Sequence, residues 1–68
     1  MKLSARNQLK GKIVAIEHGV TTSHVTIEVG GAQIMASITK DSAEQMKLAV
    51  GQTAYAIIKA SNVMVGVD

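Results

Sequence analysis

The chain has 68 residues, a formal net charge of +2 and no cysteine. A domain of that length buries only about 60% of the surface its unfolded chain exposes, and without thiols neither disulfides nor thiolate zinc can make up the deficit. Seven scattered cations and one aromatic residue offer few phosphate contacts or base-stacking platforms for nucleic acid, and no apolar run approaches the roughly 20 residues of a membrane span.

The chain opens on Ser4-Ala5-Arg6-Asn7-Gln8-Leu9-Lys10-Gly11, dense in hydrogen-bonding side chains where a terminus is usually loose. Such a segment reads either as a solvated arm or as part of a site. Between Leu9 and His18, Lys10–Glu17 reads as a strand whose continuously apolar centre, Ile13-Val14-Ala15-Ile16, is expected to be covered on both faces. His18-Gly19-Val20-Thr21-Thr22-Ser23 supplies turn chemistry. Ser23–Val29 then alternates, with Val25, Ile27 and Val29 on one face and His24, Thr26 and Glu28 on the other, as a half-buried strand does. Gly30-Gly31 predicts a tight hairpin, because glycines tolerate the positive φ such turns need. The returning strand is Ala32–Thr39, with Ile34, Ala36 and Ile38 on one side. Asp41, with Glu44 in the following turn, forms a capping-box pattern and predicts about two turns of helix over Ser42–Leu48, closed by Gly51. Thr53–Lys59 and Asn62–Val67 read as two more strands, the second alternating as Val63, Val65 and Val67, and Tyr55 is expected in the core.

Five strands with one short helix between the third and fourth predict an all-β fold, a small OB-like barrel, with residues 1–68 forming one domain. Burial must come from many Val, Ile, Ala and Met side chains. A short, apolar chain without covalent staples is expected to finish its core against copies of itself, as a homo-oligomer. No signal peptide is visible, so the expected compartment is the cytoplasm.

Catalysis is not expected. Of the acids Glu17, Glu28, Asp41, Glu44 and Asp68, one is read as a helix cap, one as an outward strand position and one as the terminal residue. His18 and His24 flank a turn with no acidic neighbour at metal-ligand spacing, which favours a surface or subunit-contact role over a metal site. A small anion fits the inventory better. Ser4 and Arg6, with Lys59 and Ser61, combine a planar guanidinium, a compact ammonium and two hydroxyls, while Ala5 and Ala60 allow close approach to backbone N–H donors.

The pair Ser4-Ala5-Arg6-Asn7-Gln8-Leu9-Lys10-Gly11 and Ile58-Lys59-Ala60-Ser61-Asn62-Val63-Met64 resembles the molybdenum-pterin-binding protein family, the molbindins or Mop domains, over essentially the whole chain. The resemblance implies the same barrel, a hexamer built as a trimer of dimers with N-terminal strands exchanged, and molybdate or tungstate as ligand between protomers. It carries the oxyanion-binding role onto Ser4, Ala5, Arg6, Lys59, Ala60 and Ser61, and onto Thr39 as a further hydroxyl donor. Asn7 is divided between contacting the ligand and holding the loop through backbone bonds. The family also has a second class of oxyanion site on a symmetry axis, for which His18, Gly19, Val20, Thr21 and Thr22 are the candidates here; a plain hairpin turn is the other reading. No organic cofactor is expected, since a pterin ring wants aromatic stacking that Tyr55 alone does not provide. The function expected is storage or buffering of the oxyanion, with two alternatives: an anion-responsive module acting through a separate partner, and, by analogy of fold alone, a nucleic-acid-binding domain.

Overall fold

The computed structural model describes residues 1–68, folded as β1 (Asn7–His18), β2 (Thr22–Val29), β3 (Ala32–Thr39), a short helix α1 (Lys40–Gln45) and β4 (Thr53–Ile58), with a 3-10 turn at Ala60–Asn62. The strands form one antiparallel sheet in the order β3-β2-β1-β4. Strands β3 and β4 are therefore free edges of an open half-barrel.

Strand β1 serves two partners. Its first half pairs with β4 from Asn7↔Ile58 to Lys12↔Thr53, and its second half pairs with β2 from Lys12↔Glu28 to His18↔Ser23. Between Ile13↔Ile27 and Ala15↔Thr26 the register slips, leaving Val14 as the extra residue of a β-bulge. The slip explains the continuous apolar run, which is not covered on both faces as expected. One added residue reverses the alternation, so Ile13 and Ile16 both turn to the core while Val14 stays 39% exposed.

The remaining inward positions follow the period of two. Val25 faces Ala36 and Ile27 faces Ile34 across β2 and β3, and Ile13, Val25, Ile27 and Ala56 make up the buried cluster. The hairpin turn is as expected, with Gly30 and Gly31 at φ 54° and 87°. Gly11 has a different duty. A Cβ there would sit 2.2 Å from the Glu28 carbonyl oxygen and 2.8 Å from Val29 Cγ2, so the absent side chain is what lets β1 lie against β2 at this point.

Several expectations are corrected. The helix starts earlier and is shorter than Ser42–Leu48, and its cap is Thr39 and not Asp41: Thr39 Oγ1 accepts from the Ser42 backbone N–H at 3.0 Å and donates to Ser42 Oγ at 2.8 Å. Thr39 combines extended backbone with a hydroxyl at the right reach, so one residue ends the strand and opens the helix. Asp41 instead lies in the first turn, where a negative charge complements the helix dipole. The fifth strand, Asn62–Val67, does not form. Its alternation is present, but no strand of this chain lies beside it, and Met64, Val65 and Val67 are each more than nine-tenths exposed. Without it the sheet stays a half-barrel and not a closed barrel. Strand β1 is paired on both sides within its own chain, with β2 and with β4. Tyr55 is 47% exposed on the edge strand β4 and does not lie in the core.

Two concavities mark the missing wall. One, of about 350 Å³, is lined by Ile13, Val25, Ile38, Leu48, Ala54 and Ile57. The other lies between Ile34, Ala36 and Ile38 of β3 and Ala56, Ile57 and Ile58 of β4. Only 6 of 68 residues are buried, so the interior of this sheet is largely open.

Two substitutions separate packing from backbone strain. Gly11→Ala is expected to destabilise the fold by about 1–3 kcal/mol, since the Glu28 carbonyl is backbone and cannot yield. Lys47 sits at φ 53° just past the helix, and Lys47→Gly is expected to stabilise by about 1 kcal/mol by removing the left-handed penalty. Urea unfolding of the two variants beside the parent checks both signs.

Candidate functional site

The β1–β4 ladder decides what the two ends of the chain can do together. Asn7 and Ile58 form its last pair, and the segments that continue from them are Ser4-Ala5-Arg6 on one side and Lys59-Ala60-Ser61 on the other. Antiparallel pairing thus sets Arg6 beside Lys59 at one end of the sheet. Asn7 secures the junction, its Nδ2 donating to the Ile58 carbonyl at 3.2 Å, and Gln8 Nε2 donates to the Ala5 carbonyl at 3.3 Å. Of the two roles left open for Asn7, the structure therefore shows the one that holds the backbone.

Ser4, Arg6, Lys59 and Ser61 are exposed and Ala5 is half-buried. No acid occurs in the sequence before Glu17, nor between Lys59 and Val67. The two cations, Arg6 and Lys59, and the two hydroxyls, Ser4 and Ser61, therefore have no carboxylate in either segment. Arg supplies paired N–H donors and Lys an adjustable point charge.

Thr39 is not part of this cluster. Strand β1 is 12 residues long, roughly 35 Å at about 3.3 Å per residue, and Thr39 lies at its far end, paired with Thr22. Its hydroxyl is also committed to capping α1. It joins instead the turn that was read as a second site. There Gly19 N–H donates to the Thr22 carbonyl at 2.7 Å, Lys40 N–H donates to the Thr21 carbonyl at 2.9 Å, and His18 Nδ1 shares a 2.7 Å hydrogen bond with the fully buried Ser23 Oγ. The Gly19 backbone donor is thus spent inside the turn, and Val20 at its tip presents an exposed apolar side chain. The residue that sequence reading missed here is Lys40, a cation brought to the turn by the β2–β3 register. Its signal was its place directly after Thr39 at the end of a hairpin whose pairing follows from Gly30-Gly31. Among the His, Asp and Glu side chains no group of three is placed to hold a metal ion.

The TOBE domain family matches residues 3–65. A protein of Haemophilus influenzae named "Probable molybdenum-pterin-binding protein" is 51% identical over 69 residues, covering 100% of both chains. Among solved structures, MopII from Clostridium pasteurianum superposes with a TM-score of 0.90 at 40% identity, covering 97% of this chain and 100% of that one. The cytoplasmic molybdate-binding protein ModG, solved with molybdate bound, superposes at 0.94 with 42% identity, and this chain spans 49% of its length.

Substitutions at the two ends should separate structural from ligand roles. Asn7→Ala and Thr39→Ala are each expected to cost about 1 kcal/mol of stability, the first through the lost bond to Ile58 and the second through the lost cap. Thr39→Ser should restore most of the second loss. Chemical denaturation of the three variants gives the reading.

Proposed function

This chain belongs to the TOBE domain family, among the molybdenum-pterin-binding proteins, and from that membership we propose that it binds molybdate or tungstate as the free oxyanion. The observation that carries the reading is the β1–β4 pairing that brings Ser4-Ala5-Arg6 beside Lys59-Ala60-Ser61 with no carboxylate in either segment. Such a dianion needs two positive charges and a shell of donors, and this end of the sheet supplies both. Charge-assisted hydrogen bonds contribute roughly 1.5–3 kcal/mol each, so a few of them offset dehydration of the anion. Exposure of these residues in one chain favours a site completed by a second subunit.

In this reading the protein is a cytoplasmic, non-enzymatic store or buffer of the oxyanion, assembled as a hexamer from three dimers. Thr39 reaches a ligand at the Arg6–Lys59 end only from another subunit. The turn His18–Thr22, now with Thr39 and Lys40 beside it, is the secondary oxyanion site, gathered around a symmetry axis. A pterin is disfavoured because the chain has a single aromatic side chain, Tyr55, and it lines an apolar cavity.

Calorimetric titration with molybdate, and with sulfate as comparator, tests the proposal. Binding is expected for the parent, and Arg6→Ala and Lys59→Ala should each weaken it by roughly 10- to 150-fold, the equivalent of one charge-assisted bond. Molybdate at 100 times its dissociation constant should add about 2.7 kcal/mol to the stability of the assembly. An unchanged melting temperature at saturating molybdate would sink the reading.

A further inference from the structure

One polar side chain is sealed inside this sheet. Ser23 lies on β2 in register with His18 of β1 and Ile38 of β3, two places before Val25 and on the same face, and it is 0% exposed. Its hydroxyl makes a single hydrogen bond, to His18 Nδ1 at 2.7 Å. A hydroxyl has one hydrogen to donate, and a buried donor left without a partner is costly. No backbone carbonyl or other side chain takes the Ser23 hydrogen, and no buried polar atom of the sheet goes unpartnered, so the hydrogen belongs to Nδ1 of His18. The proton of the neutral imidazole then resides on Nε2.

His18 itself is exposed. With Nδ1 engaged by the buried hydroxyl, Nε2–H is the ring group left to the outside, at the start of the turn His18–Thr22. The ring thereby works in one direction. It can donate to an oxygen atom, whereas a divalent cation needs a bare ring nitrogen. For Nε2 to become bare its proton must pass to Nδ1. Ser23 Oγ must then accept, and the serine hydrogen is stranded in the interior. The charges around the turn favour the same choice of ligand. Lys40 is tied to the turn through its N–H to the Thr21 carbonyl, while Glu17, next to His18 in sequence, is turned to the opposite face, across from His24. His24 is exposed and its ring makes no hydrogen bond, so either of its nitrogens is open to a ligand.

We propose that Ser23 is a positioning residue for His18, holding the imidazole in its Nε2–H form so that the turn accepts an oxyanion and refuses a divalent cation. The held ring rests on the buried hydroxyl alone. An anion as its ligand rests in addition on the oxyanion reading of the turn.

Long-range proton–nitrogen correlation spectra of the full-length protein in mildly alkaline buffer show which ring nitrogen carries hydrogen. His18 Nδ1 is expected at the unprotonated position and Nε2 at the protonated one. The reverse assignment overturns the proposal. Ser23→Ala should move both His18 nitrogens toward the average of a freely exchanging ring, and Ser23→Thr, which keeps the hydroxyl, should restore them. Unchanged His18 signals in Ser23→Ala overturn the positioning role. Nickel ion is then titrated against the same resonances. Ser23→Ala should lower the nickel concentration that broadens His18 by roughly 5- to 150-fold, the equivalent of one buried donor no longer stranded, while His24 responds alike in both proteins. An equal nickel requirement at His18 overturns the refusal of cations. If the variants do not fold, the parent assignment decides. Molybdate should shift His18 Nε2–H in the parent and leave His24 in place. A parent that binds molybdate by calorimetry with His18 unmoved overturns the anion as its ligand. Failure of the oxyanion reading itself appears separately, as absent binding heat beside an intact Nε2–H ring.

Discussion

Strand β1 is hydrogen-bonded along one half to β4 and along the other to β2, and every other part of the molecule takes its position from that shared strand. Two partners with different demands meet near Lys12, which pairs with both Glu28 and Thr53. Gly11 and the bulge at Val14 are the two local devices that make the meeting possible. The glycine permits close approach to the Glu28 backbone, and the extra residue lets the strand change phase without turning Ile16 away from the core. In addition β1 separates two polar clusters by its own length, one at Arg6 and Lys59 and the other at the His18–Thr22 turn.

The sheet built on β1 is unusual in how little it encloses. Its buried cluster is four side chains, supported by partly buried neighbours such as Ile16, Ile34 and Leu48. The same shortage of burial that composition forecasts is seen as two bare edges and an open interior. The segments at one end of this sheet, Ser4–Arg6 and Lys59–Ser61, carry two cations and no carboxylate.

Much of this fold was legible because a sheet's period of two is written directly in residues. Val25, Ile27 and Val29 against Ile34, Ala36 and Ile38, joined by Gly30-Gly31, allow one register and no other. The run Ile13–Ile16 misled because a bulge and a doubly covered strand leave the same apolar signature. Thr39 was assigned to a strand end without regard to the hydroxyl that also makes it a cap, which shifted the helix by two residues at its start. Val63–Val67 carries a sound strand pattern, but a pattern shows only that a residue can pair, and no strand of this chain lies beside it. In the candidate site, the residue types were readable from the two motif blocks. Their juxtaposition was not, since it depends on Asn7↔Ile58, and linear order does not show that Thr39, at the end of β3, lies at the other end of β1 within one chain.

The bare edges have a consequence for the life of a newly made chain. Strands β3 and β4 present unpaired backbone flanked by exposed Met35, Tyr55 and Ile57, which is the kind of template on which other strands stack. Gln33, Ser37 and Thr39 interrupt that template along β3 but do not remove it. A chain whose edges are bare is thus exposed to aggregation. Aggregation on such edges needs chains to meet, so its rate rises with the concentration of partly folded copies and falls as they are diluted.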